Sequence, residues 1–196
     1  MHSTPQEAFA AAQASIARRD WRGFYACFDR GDLFRAAEEV IPVYVVVFGR
    51  DAWFVQHCAA HDVSLAALDV WEQTRRTMER AGMPAWRRSG GIAREQATTG
   101  LWLSERQRRL VQETQEAMRE ALALVADLDG FIAELVARVQ GSGRAAGLPS
   151  TLFLGETLEQ VIVDGDRARA TRTVRGAPIA ELEFVRRRGE WLVRLA

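Results

Sequence analysis

Two histidines, His57 and His61, stand four residues apart in the segment Gln56-His57-Cys58-Ala59-Ala60-His61-Asp62. On a helix that spacing stacks two imidazoles on one face, which is the arrangement two nitrogen ligands need to share a metal ion; Cys58 and Asp62 are neighbouring donors. The glutamate of an HExxH motif is lacking, so the pair is half of a metal site, and further ligands would come from carboxylates such as Glu38, Glu39 or Asp69. The plainer alternative is one packed and one surface histidine. Acid–base chemistry of the isomerase kind is a second possibility, because it needs a carboxylate or imidazole whose pKa apolar burial brings toward neutrality. Tyr44, Asp51 and His57 are the catalytic candidates on that ground, with Tyr25 and Asp69 beside them, each set among aromatic and aliphatic residues. Against this stands the reading of Asp51 as a helix cap and of the tyrosines as core. Tyr25, Trp53, Trp71 and Trp86 are the candidate lining of an apolar ligand pocket. No GxGxxG, GxxxxGK[ST] or GxSxG motif occurs, which argues against nucleotide-dependent and serine-hydrolase chemistry, and no cofactor is expected.

The elements that must position these residues are mostly helices. Thr4-Pro5-Gln6-Glu7 combines a threonine cap, a proline at the first helical position and a glutamate three residues after the cap. A first helix is expected to about Arg19, then a short second one capped by Asp20 and carrying Trp21, Phe24, Tyr25 and Phe28, with a break over Asp29 to Asp32. Leu33 to Phe48 begins with helical spacing and becomes β-branched; helix is the expectation, since no partner strand is evident nearby. Asp51 should cap a helix through Ala60, and Ser64 another to about Arg80. Gly82 to Gly100 contains five glycines or prolines and reads as a loop. Ser104-Glu105-Arg106-Gln107 is a capping box, expected to open one long helix to about Gln140, with Gly130 as its kink. Along it Val111, Met118, Val125, Ile132 and Val139 recur every seven residues, with Leu128 and Leu135 between them and Leu110, Leu124 and Phe131 widening the stripe. So wide a stripe suits a core-facing surface better than a two-helix coiled-coil seam.

After a glycine-rich connector the period changes to two. Strands are expected at about 156–163, 167–174, 179–186 and 190–195, turning at Asp164-Gly165, at Arg175 to Pro178 and at Arg188-Gly189. Ala180, Leu182 and Phe184 share one face and Glu181 and Glu183 the other, while Trp191, Val193 and Leu195 alternate with Leu192 and Arg194. Charges on the wet face can pair across strands, each pair contributing at most about 1 kcal/mol. The fold class is therefore α+β: N-terminal helices and a long helix packed on a C-terminal four-stranded antiparallel meander. The chain reads as one domain over 1–196, with N-terminal helices over 1–35, a helical elaboration over 36–145 and the sheet over 150–196.

The opening Thr4-to-Phe28 segment, with its Arg19-Asp20-Trp21 step, and the ending Val161-Ile162-Val163-Asp164-Gly165-Asp166-Arg167-Ala168, Phe184-Val185-Arg186 and Gly189-Glu190-Trp191-Leu192 resemble the nuclear transport factor two-like, or cystatin-like, cone superfamily. They amount to 40 of the 196 residues, about a fifth of the chain. The resemblance implies N-terminal helices wrapped under a curved antiparallel sheet. It departs from that pattern over 35–145, where the family places an early hairpin and a single third helix. Isomerases, dehydratases, polyketide cyclases, binding proteins and scaffolds share this fold, so the resemblance leaves activity open.

Composition narrows the classes further. All 26 basic residues are arginine and they balance 26 acidic ones, so no global field draws in nucleic acid or an anionic membrane; the absence of lysine and asparagine reads as the codon bias of a GC-rich bacterial genome. Cys27 and Cys58 lack CxxC spacing and read as buried small hydrophobes. With no secretory signal pattern and no apolar run near the roughly 20 residues of a membrane span, a cytoplasmic protein is expected. Two functions follow. One is a pocket protein for a small apolar molecule, with isomerase- or dehydratase-like chemistry as its catalytic form; it requires an enclosed apolar cavity holding an ionisable group. The other is a non-catalytic homo-oligomeric interaction or scaffold protein, a homodimer in its simplest form, which requires a filled interior and an exposed apolar stripe.

Overall fold

The computed structural model describes residues 2–80, 104–143 and 153–194. Among them are seven helices, α1 (Pro5–Arg18), α2 (Trp21–Tyr25), α3 (Arg30–Phe48), α4 (Ala52–Ala60), α5 (Leu65–Arg80), α6 (Glu105–Ala121) and α7 (Leu128–Gly141), followed by strands β1 (Thr157–Asp164), β2 (Arg167–Val174), β3 (Ala177–Arg187) and β4 (Glu190–Arg194). The α+β class is as expected. The loop expected over 82–100, with Trp86 inside it, lies outside the described residues. The chain sorts into two compact units, one of residues 1–33 and 132–196, the other of residues 34–131.

In the first unit Thr4 caps α1 by accepting from the Glu7 N–H, with Pro5 opening the helix, and Asp20 caps α2 by accepting from the Gly23 N–H. Helix α3 starts at Arg30, so the expected break is confined to the residues just before it. The sheet has the order β1-β2-β3-β4, all antiparallel. Its hairpins follow the turn chemistry: Arg175 and Gly176 sit at φ 52° and 79°, Arg188 and Gly189 at 52° and 86°, the doubly positive pairs that match a two-residue turn to strand twist. The first hairpin closes on Asp164 opposite Arg167, so its two loop residues are Gly165 and Asp166, one position later than Asp164-Gly165. Ala168, Ala170, Leu182, Phe184, Trp191 and Val193 form the dry face; Ala180 is exposed instead of joining them, because the inward half of β3 is its second half. Ala8, Phe9, Ala12 and Ile16 of α1 are buried as the i, i+4 stripe requires. Arg169 and Glu183 lie opposite each other on the wet face, with Nε 3.9 Å from Oε1.

The second unit is helical. Asp51 caps α4 by accepting from the Phe54 N–H, and Ser64 caps α5 by accepting from the Ala67 N–H. Pro42 lies inside α3, which nevertheless runs to Phe48. The single helix expected from Ser104 to Gln140 is two. Ser104 and Gln107 form the capping box of α6, but α6 ends at Ala121 with Leu122 as its cap, and α7 starts afresh at Leu128. Asp127 breaks the helix: its side chain accepts from the Gly130 N–H, 3.2 Å, and its carbonyl from the Phe131 N–H, 3.0 Å, so it acts as a new N-cap. Gly130 therefore sits in the first turn of α7 and is not a kink. Met118, Val125 and Leu128 of this unit are buried and Val111 is half-buried, and Ile132, Leu135 and Val139, which belong to the first unit, are buried as well, whereas Leu124 in the break is 77% exposed. The heptad face is core. Among the described residues no helix is long and apolar enough to cross a membrane.

Candidate functional site: a histidine and aromatic column on α4

The cap at Asp51 places the site. Helical periodicity from Ala52 onward puts Trp53, His57 and His61 on one face, four residues apart each time. The His57 ring stacks on Trp53 on one side, centroids 4.5 Å apart and planes 15° apart, and on Phe131 of α7 on the other, 4.9 Å and 11°. His61 meets His57 edge-on at 4.6 Å and Phe131 at 5.6 Å. Tyr44 of α3 continues the column, stacked on Trp53 at 5.5 Å and on Phe54 at 5.2 Å. Its hydroxyl donates to Asp51 Oδ1 at 3.1 Å, the oxygen that also caps α4 by accepting from the Phe54 N–H at 2.8 Å.

His57 is buried, and its Nε2 lies 3.1 Å from the main-chain oxygen of Phe131. A carbonyl can only accept, so Nε2 carries the hydrogen and, in the neutral ring, Nδ1 carries the lone pair. His61 and Trp53 are half-buried and form the rim. Beside them Cys58 is fully buried; burial pushes its thiol up to about 12, against the opposing pull of Arg50.

Five residues singled out by type and spacing, Tyr44, Asp51, Trp53, His57 and His61, thus form one contiguous group. Tyr25 belongs to the first unit, where it meets Phe24 at 5.2 Å and Phe28 at 6.5 Å. Trp71 is buried on α5 with the Arg75 guanidinium 5.8 Å over its ring, and Trp86 lies outside the described residues. Asp69 is an exposed partner of Arg50, which also reaches Glu72 at 3.1 Å. Glu38, weighed as a metal ligand, is buried on α3; burial raises its carboxyl to about 7, against the opposing pull of Arg119 and Arg35. Burial raises Glu39 as well. Phe131 is the member that sequence reasoning missed. It counted only as part of a heptad stripe, and the signal that would have recovered it is the Asp127 cap, which puts Phe131 in the opening turns of a new helix.

The surface groove described on α5 is polar, lined by Asp69, Glu72, Gln73, Arg76, Thr77 and Arg80. It has the charge pattern of a solvated helix face, with Arg76 donating to Glu72 at 2.5 Å. No family model matches the chain, and neither a curated protein nor a solved structure does.

Proposed function

We infer that the chain is a binding protein for a small ligand, held at the His57 and His61 face of α4, and that the ionisable groups there hold the fold or the ligand instead of transferring protons. The observation that supports this most is the clamped His57 ring: two stacking partners and a main-chain acceptor fix its position and tautomer, while His61 stands at the rim one turn on. Proton-transfer chemistry is the weaker reading, because Asp51 accepts from both the Phe54 N–H and the Tyr44 hydroxyl, and Tyr44 is fully buried. A ligand that binds only the folded state raises its stability, by about 2.7 kcal/mol at a hundred times Kd. A thermal-shift screen of the full chain against small planar apolar compounds and divalent metal salts should therefore yield at least one class that raises the melting temperature of the wild type and not of His61→Ala. A screen without such a class would sink the reading.

Self-association is the second reading, and one observation favours it. The β4 edge of the sheet is occupied: the Trp191 N–H donates to the His2 carbonyl, the Val193 N–H to Cys27 and the Asp29 N–H to Val193. Strand β1 is the opposite, outermost strand, and it carries Ile162 at 69% and Val163 at 55% exposure. A second copy of the chain pairing along β1 would cover both. Sedimentation of the wild type should then show a dimer that Ile162→Lys converts to monomer; a wild-type monomer at all concentrations would contradict it.

A further inference from the structure

We propose that the ligand of the α4 face is a divalent ion of the late first-row transition series, zinc, nickel or copper, chelated by His57 and His61. The inference rests on the binding reading above and narrows it. Three observations carry it. First, the ring nitrogens of the two residues come within 4.8 Å of each other. Two nitrogens sharing a tetrahedral ion at about 2.05 Å would stand about 3.4 Å apart, a closure that rotation of the half-buried His61 ring can supply. Second, the Nε2–H of His57 donates to the Phe131 carbonyl. That outer bond is the one metal-bound imidazoles ordinarily make, fixing the tautomer and aiming the other nitrogen's lone pair. Third, the column is filled by its own rings, Trp53 and Phe131 lying against the two faces of His57. A metal ion bound on a helix face needs no cavity, whereas an organic molecule does.

The donor set selects the ion class. Two imidazoles suit zinc, nickel and copper; magnesium and calcium take oxygen ligands and would bind poorly here. Cys58 is the adjacent residue but is sequestered on the buried side of α4, so the site has imidazole character and not thiolate character.

The test is isothermal titration of the full-length, chelator-stripped protein with zinc chloride, nickel chloride, copper chloride and magnesium chloride in parallel. The expected result is one zinc per chain, copper tighter than nickel or zinc, and no heat from magnesium. His61→Ala, at a half-buried rim position, should fold normally and weaken zinc binding at least tenfold; Cys58→Ala should leave it unchanged. His57→Leu should abolish binding, and because that ring is packed, its circular dichroism is recorded alongside, with His61→Ala deciding the matter if His57→Leu unfolds. Affinity for the bound ion unchanged in a folded His61→Ala protein would overturn the proposal, as would the absence of zinc, nickel and copper binding in the wild type. If zinc, nickel and copper all fail but an organic compound shifts the melting temperature in a His61-dependent way, the metal assignment falls and the binding reading stands. If nothing depends on His61, both fall.

Discussion

Each unit has an aromatic cluster, and the two are built from similar contacts for different ends. In the first unit Phe9, Phe24, Phe28 and Phe153 meet at centroid distances from 4.8 to 6.3 Å. Tyr25 joins them against Phe24 and Phe28, and the polar groups around these rings close the fold: Arg172 makes a two-pronged ion pair to Glu156 at 2.6 and 2.8 Å, its guanidinium lying 4.9 Å over Phe153. Gln13 meanwhile donates to the carbonyls of Phe153 and Glu156. In the second unit Tyr44, Trp53 and His57 stack at similar distances, with Phe54 and Phe131 against them, and His61 meets the His57 ring edge-on at 4.6 Å. Stacking distance does not separate the two clusters. What separates them is the imidazole pair: the second cluster holds a buried histidine bonded to a main-chain oxygen with a second histidine edge-on to it, and the first holds phenylalanines and a tyrosine.

The largest effect of a single substitution is expected in the first unit. Glu156→Ala leaves the Arg172 guanidinium, only 15% exposed, without its carboxylate, and should cost about 3–5 kcal/mol in chemical denaturation; a loss below about 1 kcal/mol would mean the pair is ornamental. A smaller effect is expected at Glu38 in the second unit. Its carboxyl is raised from 4.5 to about 7 chiefly by burial, so the folded state favours the proton. The associated stability is fully present below the unfolded pKa and is lost as pH rises through about 7. Glu38→Gln removes that titration, and relative to the wild type it should gain on the order of 2 kcal/mol between about pH 5 and about pH 8. A pH-independent difference between the two proteins would refute the burial argument. Tyr44→Phe deletes one hydroxyl donor to Asp51 and should cost about 1 kcal/mol, with helicity retained because Asp51 still caps α4. Smallest of all, Ile162→Lys on the exposed outer strand should change stability by less than about 0.5 kcal/mol, which makes it a clean probe of self-association.

How much of this was legible depended on range. Caps and turns are local chemistry, and Thr4, Asp20, Asp51, Ser64 and Ser104 all sit where their side chains promised, as do the reversals at Arg175-Gly176 and Arg188-Gly189. The i, i+4 spacing of His57 and His61 likewise gave their shared face. The heptad over Val111 to Val139 misled because a buried stripe keeps its period across a break; both halves face a core, so hydrophobic spacing could not register the Asp127 cap. Tyr25 was chosen by the same criterion as Tyr44, a polar ring among apolar neighbours, and only the three-dimensional grouping separates them. The partner of His57 was out of reach for a physical reason: it is the main-chain oxygen of a residue 74 positions on, and any residue type supplies one.

Imidazole nitrogen NMR of the full chain, with and without zinc chloride, reads out whether α4 presents a clamped, tautomer-fixed histidine beside a second one as a ligand site. The chain has only three histidines, and His2, in the first unit near Glu190, is an internal control. His57 should be the Nε2–H tautomer before addition, and on addition His57 and His61 should shift together with His2 unmoved. A His57 resonance exchanging between tautomers, or a zinc response confined to His2, would contradict it.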